Sequence, residues 1–483
     1  MACIHADVSS PPATSSCQRL PAMNSGSELR SGAVPEPRKA WKVGTLTYTA
    51  GGIVALFVWL LWGDFAWSMR DRSIPPVITL LFKNYGSPDM LTGILIGSLP
   101  ALLGLVLNPI VSYRSDRLRS RLGRRVPYLI VSTPVIVIGL VGLAFSPPLG
   151  TVLSHWFGPV LGASLATLIF LALFWTLFEV GCVVSMAVFN ALVNDVVPQE
   201  LLGRFYGLFR AVSLFAGMLF NFWIVGKSET HHMAIFLGMA VLYGIGFTVM
   251  LVKVKEGEYP PPPEPQGPDA AGGFFPAVKS YFRDCFTKPY YLLCFLSGII
   301  GGAANIPFNL FVLLYVKSIG LSLETYGKYI ALTYLISFVV SYPLGALADR
   351  VHPLRLTIAV QTVFALVTLA CGLFIKSQTS FLVGLVALGV MAGAYYTASA
   401  SLGARLLPRS KFAELSSAGG ILGAGVNIVL APAVGFILDH SGHNYRYTFF
   451  MGFLLAVVSI VLFILLYRRF LRYGGPSGYV APE

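Results

Sequence analysis

Long apolar runs alternate with short polar connections along most of the chain. Each run is near the ~20 residues that a bilayer-spanning helix needs. They predict helices near residues 53–82, 90–112, 127–146, 162–192, 204–226 and 233–253 in one half. The other half gives 289–316, 325–347, 355–375, 380–404, 413–438 and 446–467. Helices are expected because a lipid core offers no water to satisfy backbone donors and acceptors. Between the halves lies KVKEGEYPPPPEPQGPDAAGG, a polar, Pro-rich stretch that reads as a semi-extended linker. The expected organisation is a disordered tail over residues 1–45, a six-helix bundle over 46–253 and a linker over 254–276. A second six-helix bundle over 277–470 and a tail over 471–483 complete it. The fold class is thus an all-α membrane protein with twelve transmembrane helices in two pseudo-symmetric bundles.

Composition narrows the class further. Of 483 residues, 55% are hydrophobic and only 11% charged, against roughly 25% charged in soluble domains. The formal net charge is +13, yet its distribution argues against a nucleic-acid partner. Lys and Arg crowd into alternate loops, from Arg114 to Arg125 and at Arg204, Lys253, Lys255, Arg350, Arg355, Arg405, Arg409, Lys411, Arg468, Arg469 and Arg472. The opposite side holds only scattered cations, such as Lys83, Lys227, Lys317 and Lys376. The positive-inside rule then predicts a plasma-membrane protein with both termini cytoplasmic. The Ser/Pro-rich start lacks the basic-then-apolar order of a cleavable signal peptide. The six cysteines form no CxxC pair or Cys/His cluster, so neither a disulfide framework nor a metal site is expected.

Two internal echoes point to duplication. NPIVSYRSDRLRSRLGRR, from Asn108 to Arg125, returns in weaker form as SYPLGALADRVHPLR, from Ser341 to Arg355. NDVVPQELLGRFYGLFRAVSLFAG after the fourth run is echoed by ARLLPRSKFAELSSAGGILGAG after the tenth. Repeated halves are how secondary transporters build two bundles around a central site. The arginine loop suggests a gate: Asp116 could accept hydrogen bonds from Arg117, Arg124 and Arg125 in one conformation and release them in another. Asp349 and Arg350 would be its second-half counterparts. Arg119 and Arg121 also serve simply to fix topology.

Charges inside the apolar runs are the candidate chemistry, because they cost several kcal/mol unless paired or facing water. The first run, FVWLLWGDFAWSMRDRSIPPVITLLF, reads as one tilted helix that buries Arg70, Asp71 and Arg72, with Asp64 about two turns earlier. A shorter helix with these charges as an outer collar is the competing reading. Trp67 accompanies them, as stacking surface or as packing. Glu179 is the clearest lone acid within a run and suits a proton carrier; Arg210 is its basic counterpart on the next helix. By helical rise Glu179 lies about 20 Å from its basic end and Arg210 about 10 Å, so Asp64 is an equally good partner for Arg210. A structural buried pair is the plainer alternative. The second half supplies neutral groups instead, among them Asn305, Asn309, Tyr315, Tyr342, Tyr395, Tyr396 and Asn427. No phosphate-binding loop is present, which leaves ATP-driven transport without support.

The Asp116–Arg117 and Gly123–Arg124–Arg125 elements resemble the signature loop of the major facilitator superfamily. Asn108–Pro109, the RLRSRL run, WGDFA around Asp64 and the DVVPQELLGRFYGLFRAVSLFAG stretch are similar to glycoside–pentoside–hexuronide:cation symporters and sucrose-type proton symporters. That resemblance implies an acid at Asp64 that contacts sugar or coupling ion, and a sugar-binding arginine at Arg210. The paired acids of sodium-coupled members are missing from the second helix, which carries Asp89 only at its outer end; the implied coupling ion is H+. Ser112 replaces the usual loop Gly, whereas Gly345 keeps the spacing to Asp349. The expected protein is a monomeric, proton-coupled sugar symporter without cofactor or enzyme activity, its partners a small-molecule solute and the lipid bilayer. The alternatives are a carrier of another polar or anionic solute, or a non-transporting sensor or assembly factor with the same fold.

Overall fold

The computed structural model describes residues 41–157, 162–258, 283, 285–408 and 412–482. A two-stranded antiparallel hairpin, Trp41–Val43 with Leu46–Tyr48, precedes the helices. The first six are α1 (Ala50–Asn84), α2 (Asp89–Arg117), α3 (Val126–Phe157), α4 (Ala163–Val196), α5 (Gln199–Leu219) and α6 (His232–Lys253). A π-turn at Phe220–Ile224 extends α5. The second six are α7 (Pro289–Ser318), α8 (Leu323–Val351), α9 (Pro353–Phe374), α10 (Gln378–Ser399), α11 (Phe412–His440) and α12 (Tyr447–Arg472). Eleven of these are long and apolar enough to cross a membrane. The twelfth, α8, is 29 residues long and carries Glu324, Lys328, Asp349 and Arg350 near its ends.

Packing reveals the duplication. In the first half α3 packs on α4 and α6, α1 on α5 and α6, and α2 on α4. Adding six to each number gives the second-half contacts: α9 on α10 and α12, α7 on α11 and α12, and α8 on α10. The two main seams between the halves, α2 with α11 and α5 with α8, exchange under the same shift. That is the pattern of two related six-helix bundles facing each other.

α1 runs unbroken for 35 residues through Pro75 and Pro76, so the single-helix reading holds over the shorter one. α3 overshoots its expected end: it passes Pro147 and Pro148 and stops at Phe157. Proline removes a backbone donor and bends a helix without having to end it. Here Ser146 and Thr151 hydroxyls donate to the carbonyls of Gly142 and Pro148, at 2.8 and 2.7 Å. α7 is interrupted at Ala304–Asn305, between Pro289–Ala303 and Ile306–Ser318.

The end that bears the Arg114–Arg125 loop is here called the basic end, and the other the far end. At the far end the α2–α11 seam is closed by direct backbone contact. A methyl built on Gly93 would lie 2.5 Å from the Ala431 carbonyl oxygen, and one on Gly435 would lie 2.5 Å from that of Asp89. Only glycine permits such an approach. Ser98 continues the seam inward by donating to the Ile428 carbonyl at 2.8 Å.

Candidate functional site

A cavity of about 1010 Å³ lies between the bundles. Trp67, Arg70 and Asp71 of α1 line it, with Trp175 and Glu179 of α4, and Gly420 and Asn427 of α11 face them. The lining continues along α2 past Gly104 to Ser112, and reaches Asn190 and Ser417. It therefore extends toward the basic end, away from the sealed far end. A second cavity of about 280 Å³ touches Asp71, Pro75 and Ile96 from the other side and is bounded by Arg72, Asn309 and Tyr334. Asp71 stands where the two meet.

Arg70 is 1% exposed and has no carboxylate within ion-pair distance among the described residues. Aromatic rings hold it instead: its guanidinium lies 4.0 Å from the Trp67 ring centre, 5.1 Å from Tyr243 and 5.5 Å from Phe178. Such contacts are worth most when desolvated. One Nη donates to the Cys182 sulfur, while Nε finds no partner. Glu179 and Asp71 share the cavity wall with Arg70 and lie within its electrostatic reach. The cation opposite Glu179 is thus Arg70 of α1 rather than Arg210 of α5. This corrects the pairing read from the sequence, where depth along single helices could not reveal which helix faces α4.

Arg210 itself is exposed, in the company of Arg72 and Tyr334. Arg72 donates to Ser213 at 3.3 Å and stands 5.7 Å from the Tyr334 ring. Asp64 lies elsewhere: it is fully buried, lines neither cavity, and accepts one hydrogen bond from Ser68 at 3.4 Å. It is therefore not Arg210's partner. In the second bundle, Asn305 and Asn309 border a small cavity of about 50 Å³, and Asn309 also faces the Arg72 cavity. Tyr395 is buried with its hydroxyl committed to the Gly298 carbonyl at 2.9 Å, so it ties α10 to α7 and does not face the cavities.

At the basic end, the arginine loop forms a network within the first bundle. Arg125 donates to Asp116 and Ser115, and Arg124 meets Asp195 at 2.6 and 3.0 Å. Arg125 Nε reaches the same Asp195 at 3.0 Å. The amides of Arg124 and Arg125 donate to Glu256, which enters from the chain beyond α6. Burial pushes the Glu256 carboxyl above its ordinary value, and the two amides pull it back. Glu258 continues this contact, its amide donating to Thr45 of the hairpin at 2.9 Å. Arg117 is outside the network: it stacks 3.9 Å over the ring of its own neighbour Tyr113. Arg350 is exposed, and the Asp349 side chain lies outside the described residues, as does the linker from 259 to 282.

Sequence reading missed Asp195 and Glu256. Asp195 sits in the NDVVPQ stretch that was read as a repeat and as part of the family resemblance without a role for its acid, and Glu256 in a stretch read as spacer. Their signal was an acid at the basic end of each of two helices, on the side of the membrane where the arginine loop lies.

Two matched bundles, a charged cavity at their interface and a basic loop between the second and third helices are the arrangement of a two-bundle membrane carrier. The sequence profile of the Major Facilitator Superfamily matches residues 65–420 and 317–477. The chain belongs to that superfamily and is a multi-pass membrane transporter of a small-molecule solute. Its fold is similar to that of the xylose transporter XylE from E. coli in an inward open conformation. The TM-score is 0.60 at 13% identity, covering 84% of this chain and 95% of that one. It is also similar to a bacterial homologue of the human lysosomal transporter Spinster, inward-facing and occupied. There the TM-score is 0.61 at 13% identity, covering 87% and 97%. A mutant form of the nucleoside transporter NupG gives a TM-score of 0.61 at 10% identity, covering 86% and 99%.

Proposed function

We propose that this transporter is a proton-coupled symporter of a glycoside-like sugar, working by alternating access in the plasma membrane with its basic end cytoplasmic. The observation that carries the reading is Glu179 in the cavity wall at mid-helix, facing Arg70 without a hydrogen bond or ion pair to another described residue. A carboxyl so placed can exchange a proton with cavity water and sense a change in the screening of the fixed Arg70 charge as solute arrives. Trp67 and Trp175 supply apolar faces, and Asp71, Asn309 and Asn427 supply groups that pair with hydroxyls. The structure holds the cavity toward the basic end, which in this orientation is the cytoplasm-facing state.

The test is uptake of labelled sucrose, maltose and related glycosides into proteoliposomes, with and without an inward proton gradient. Glu179→Gln should abolish gradient-driven accumulation and retain solute exchange at zero gradient. No uptake across the panel from folded protein would sink the sugar assignment. A second reading, an anionic solute, is favoured by Arg72 and Arg210 standing together without an ion-paired carboxylate among the described residues. Uptake of hexuronates that fails in Arg72→Gln would select it.

A further inference from the structure

The far end of the α2–α11 seam carries a charged cluster that the central site does not use. Asp89, in the first turn of α2, is fully buried. Its carboxylate lies 2.7 Å from Lys83 of α1, 2.7 Å from His443 Nδ1 and 3.4 Å from the Tyr445 hydroxyl. His443 and Tyr445 belong to the turn between α11 and α12, so those two contacts cross from one bundle to the other. Asp439, in the last turn of α11, answers in the opposite direction. Its two carboxylate oxygens accept the amides of Asp89 and Met90, each at 2.8 Å, and so cap α2 across the seam. Carboxylates at a helix N-terminus are favoured by its unpaired amides and dipole. His443 Nδ1 also stands 3.8 Å from Asp439.

Charge decides what this cluster can do. With neutral His443, the closed cluster holds Asp89, Asp439 and Lys83 and is one negative charge in excess. A proton on His443 neutralises it and places a cation between two carboxylates from opposite bundles. Opening the seam separates His443 from Asp89 and forfeits that gain. Proton binding and closure of this end are therefore linked, each favouring the other. Two further cations face His443 across the surface groove it lines, Lys376 from the α9–α10 turn and Arg446 before α12. Arg446 is turned away to the carbonyls of Gly372 and Leu373, at 2.7 and 3.3 Å. Asp89, Asp439 and His443 also have metal-ligand spacing. Each Asp439 oxygen already accepts an amide and Lys83 already supplies a fixed cation to Asp89, so a proton completes the charge with less rearrangement than a divalent ion.

We propose that Asp89, Asp439 and His443 form a proton-operated latch on the far face. Acid on that face holds the bundles closed there and slows the return of the cavity to that side. The latch stands apart from Glu179 and operates whatever solute is carried.

Bioorthogonal spin labels at the exposed far-end positions Thr230 and Tyr447, in the full-length protein in nanodiscs, would report closure as a distance distribution. On going from pH 8 to 5.5 the closed-to-open ratio should rise about threefold, the size expected of a half-exposed ion pair. His443→Asn should flatten this response while leaving the protein folded, since His443 has φ +59 and Asn tolerates that backbone. Asp439→Asn should lower the closed population at both pH values. An unchanged wild-type ratio, or the same pH response in His443→Asn, would overturn the latch.

Discussion

The far-end seam makes Gly435→Ala the sharpest perturbation this protein offers. The added methyl would lie 2.5 Å from the Asp89 carbonyl oxygen and 2.6 Å from the Met90 Cα. Ordinary contact begins at 3.4 Å, so α2 and α11 must part by about 1 Å. Both opposing atoms are main chain, so no side chain can turn aside to make room. Forced overpacking of this kind costs about 1–3 kcal/mol. Because the strain exists only when the seam is closed, the cost falls on the balance between closed and open far ends. It should shift that balance by roughly 5- to 150-fold. Hydrogen exchange reads it directly, since the Asp89 and Met90 amides are held by Asp439 only while the seam is shut. Exchange in the first turn of α2 should accelerate by about that factor, with exchange in the arginine loop unchanged. Unaltered protection at Asp89 and Met90 in a folded Gly435→Ala protein would refute the argument that backbone proximity seals this end.

At the basic end, Asp195→Asn removes the carboxylate shared by Arg124 and Arg125 and should cost about 2 kcal/mol in detergent unfolding. Asp116→Asn, whose side chain is 54% exposed, should cost under about 1 kcal/mol; the reverse ranking would mean Asp116 is the hub. His352 caps α9 by accepting the Leu354 amide at 3.3 Å, and burial followed by Arg405 and Arg355 holds its pKa below the ordinary 6.5. A depressed histidine contributes stability above pH 6.5 that is lost as pH falls through its folded value. The melting midpoint should therefore drop on acidification, and the drop should shrink in His352→Asn, a residue that keeps both cap and positive φ. An equal acid drop in the variant would assign the effect to other groups.

The helices were legible because the lipid core imposes one rule on every run, and the duplication because its echoes fall in the loops. The placement of Arg70 through Arg72 within α1 followed from length alone. Partnership was not legible. Whether Glu179 faces Arg70 or Arg210 depends on how α1, α4 and α5 are rotated about their axes. Runs that are apolar on nearly all sides carry little periodic signal for that rotation. Asp64 and Tyr395 show the same gap: their polarity announced a role, yet one is sealed behind Ser68 and the other ties α10 to α7. The far-end cluster was harder still, since Asp89 and His443 are 354 residues apart and neither sits in a motif.

The proline pair in α1 has a mechanical meaning. Pro75 and Pro76 carry no amide hydrogen, so the carbonyls of Asp71 and Arg72 lose their usual helical donors at the level of the cavities. A rod missing two adjacent rungs bends most easily there. The stretch from Pro75 to Asn84, which ends beside the Lys83–Asp89 pair, lies on the far-end side of this weak point, and the stretch that carries Asp64 and Arg70 lies on the other, where Gly63 and Ala66 pack on Met250 and Gly246 of α6. α1 is then a jointed lever. Motion of the far end reaches Asp71 and Arg72 as a change in the angle of their own backbone.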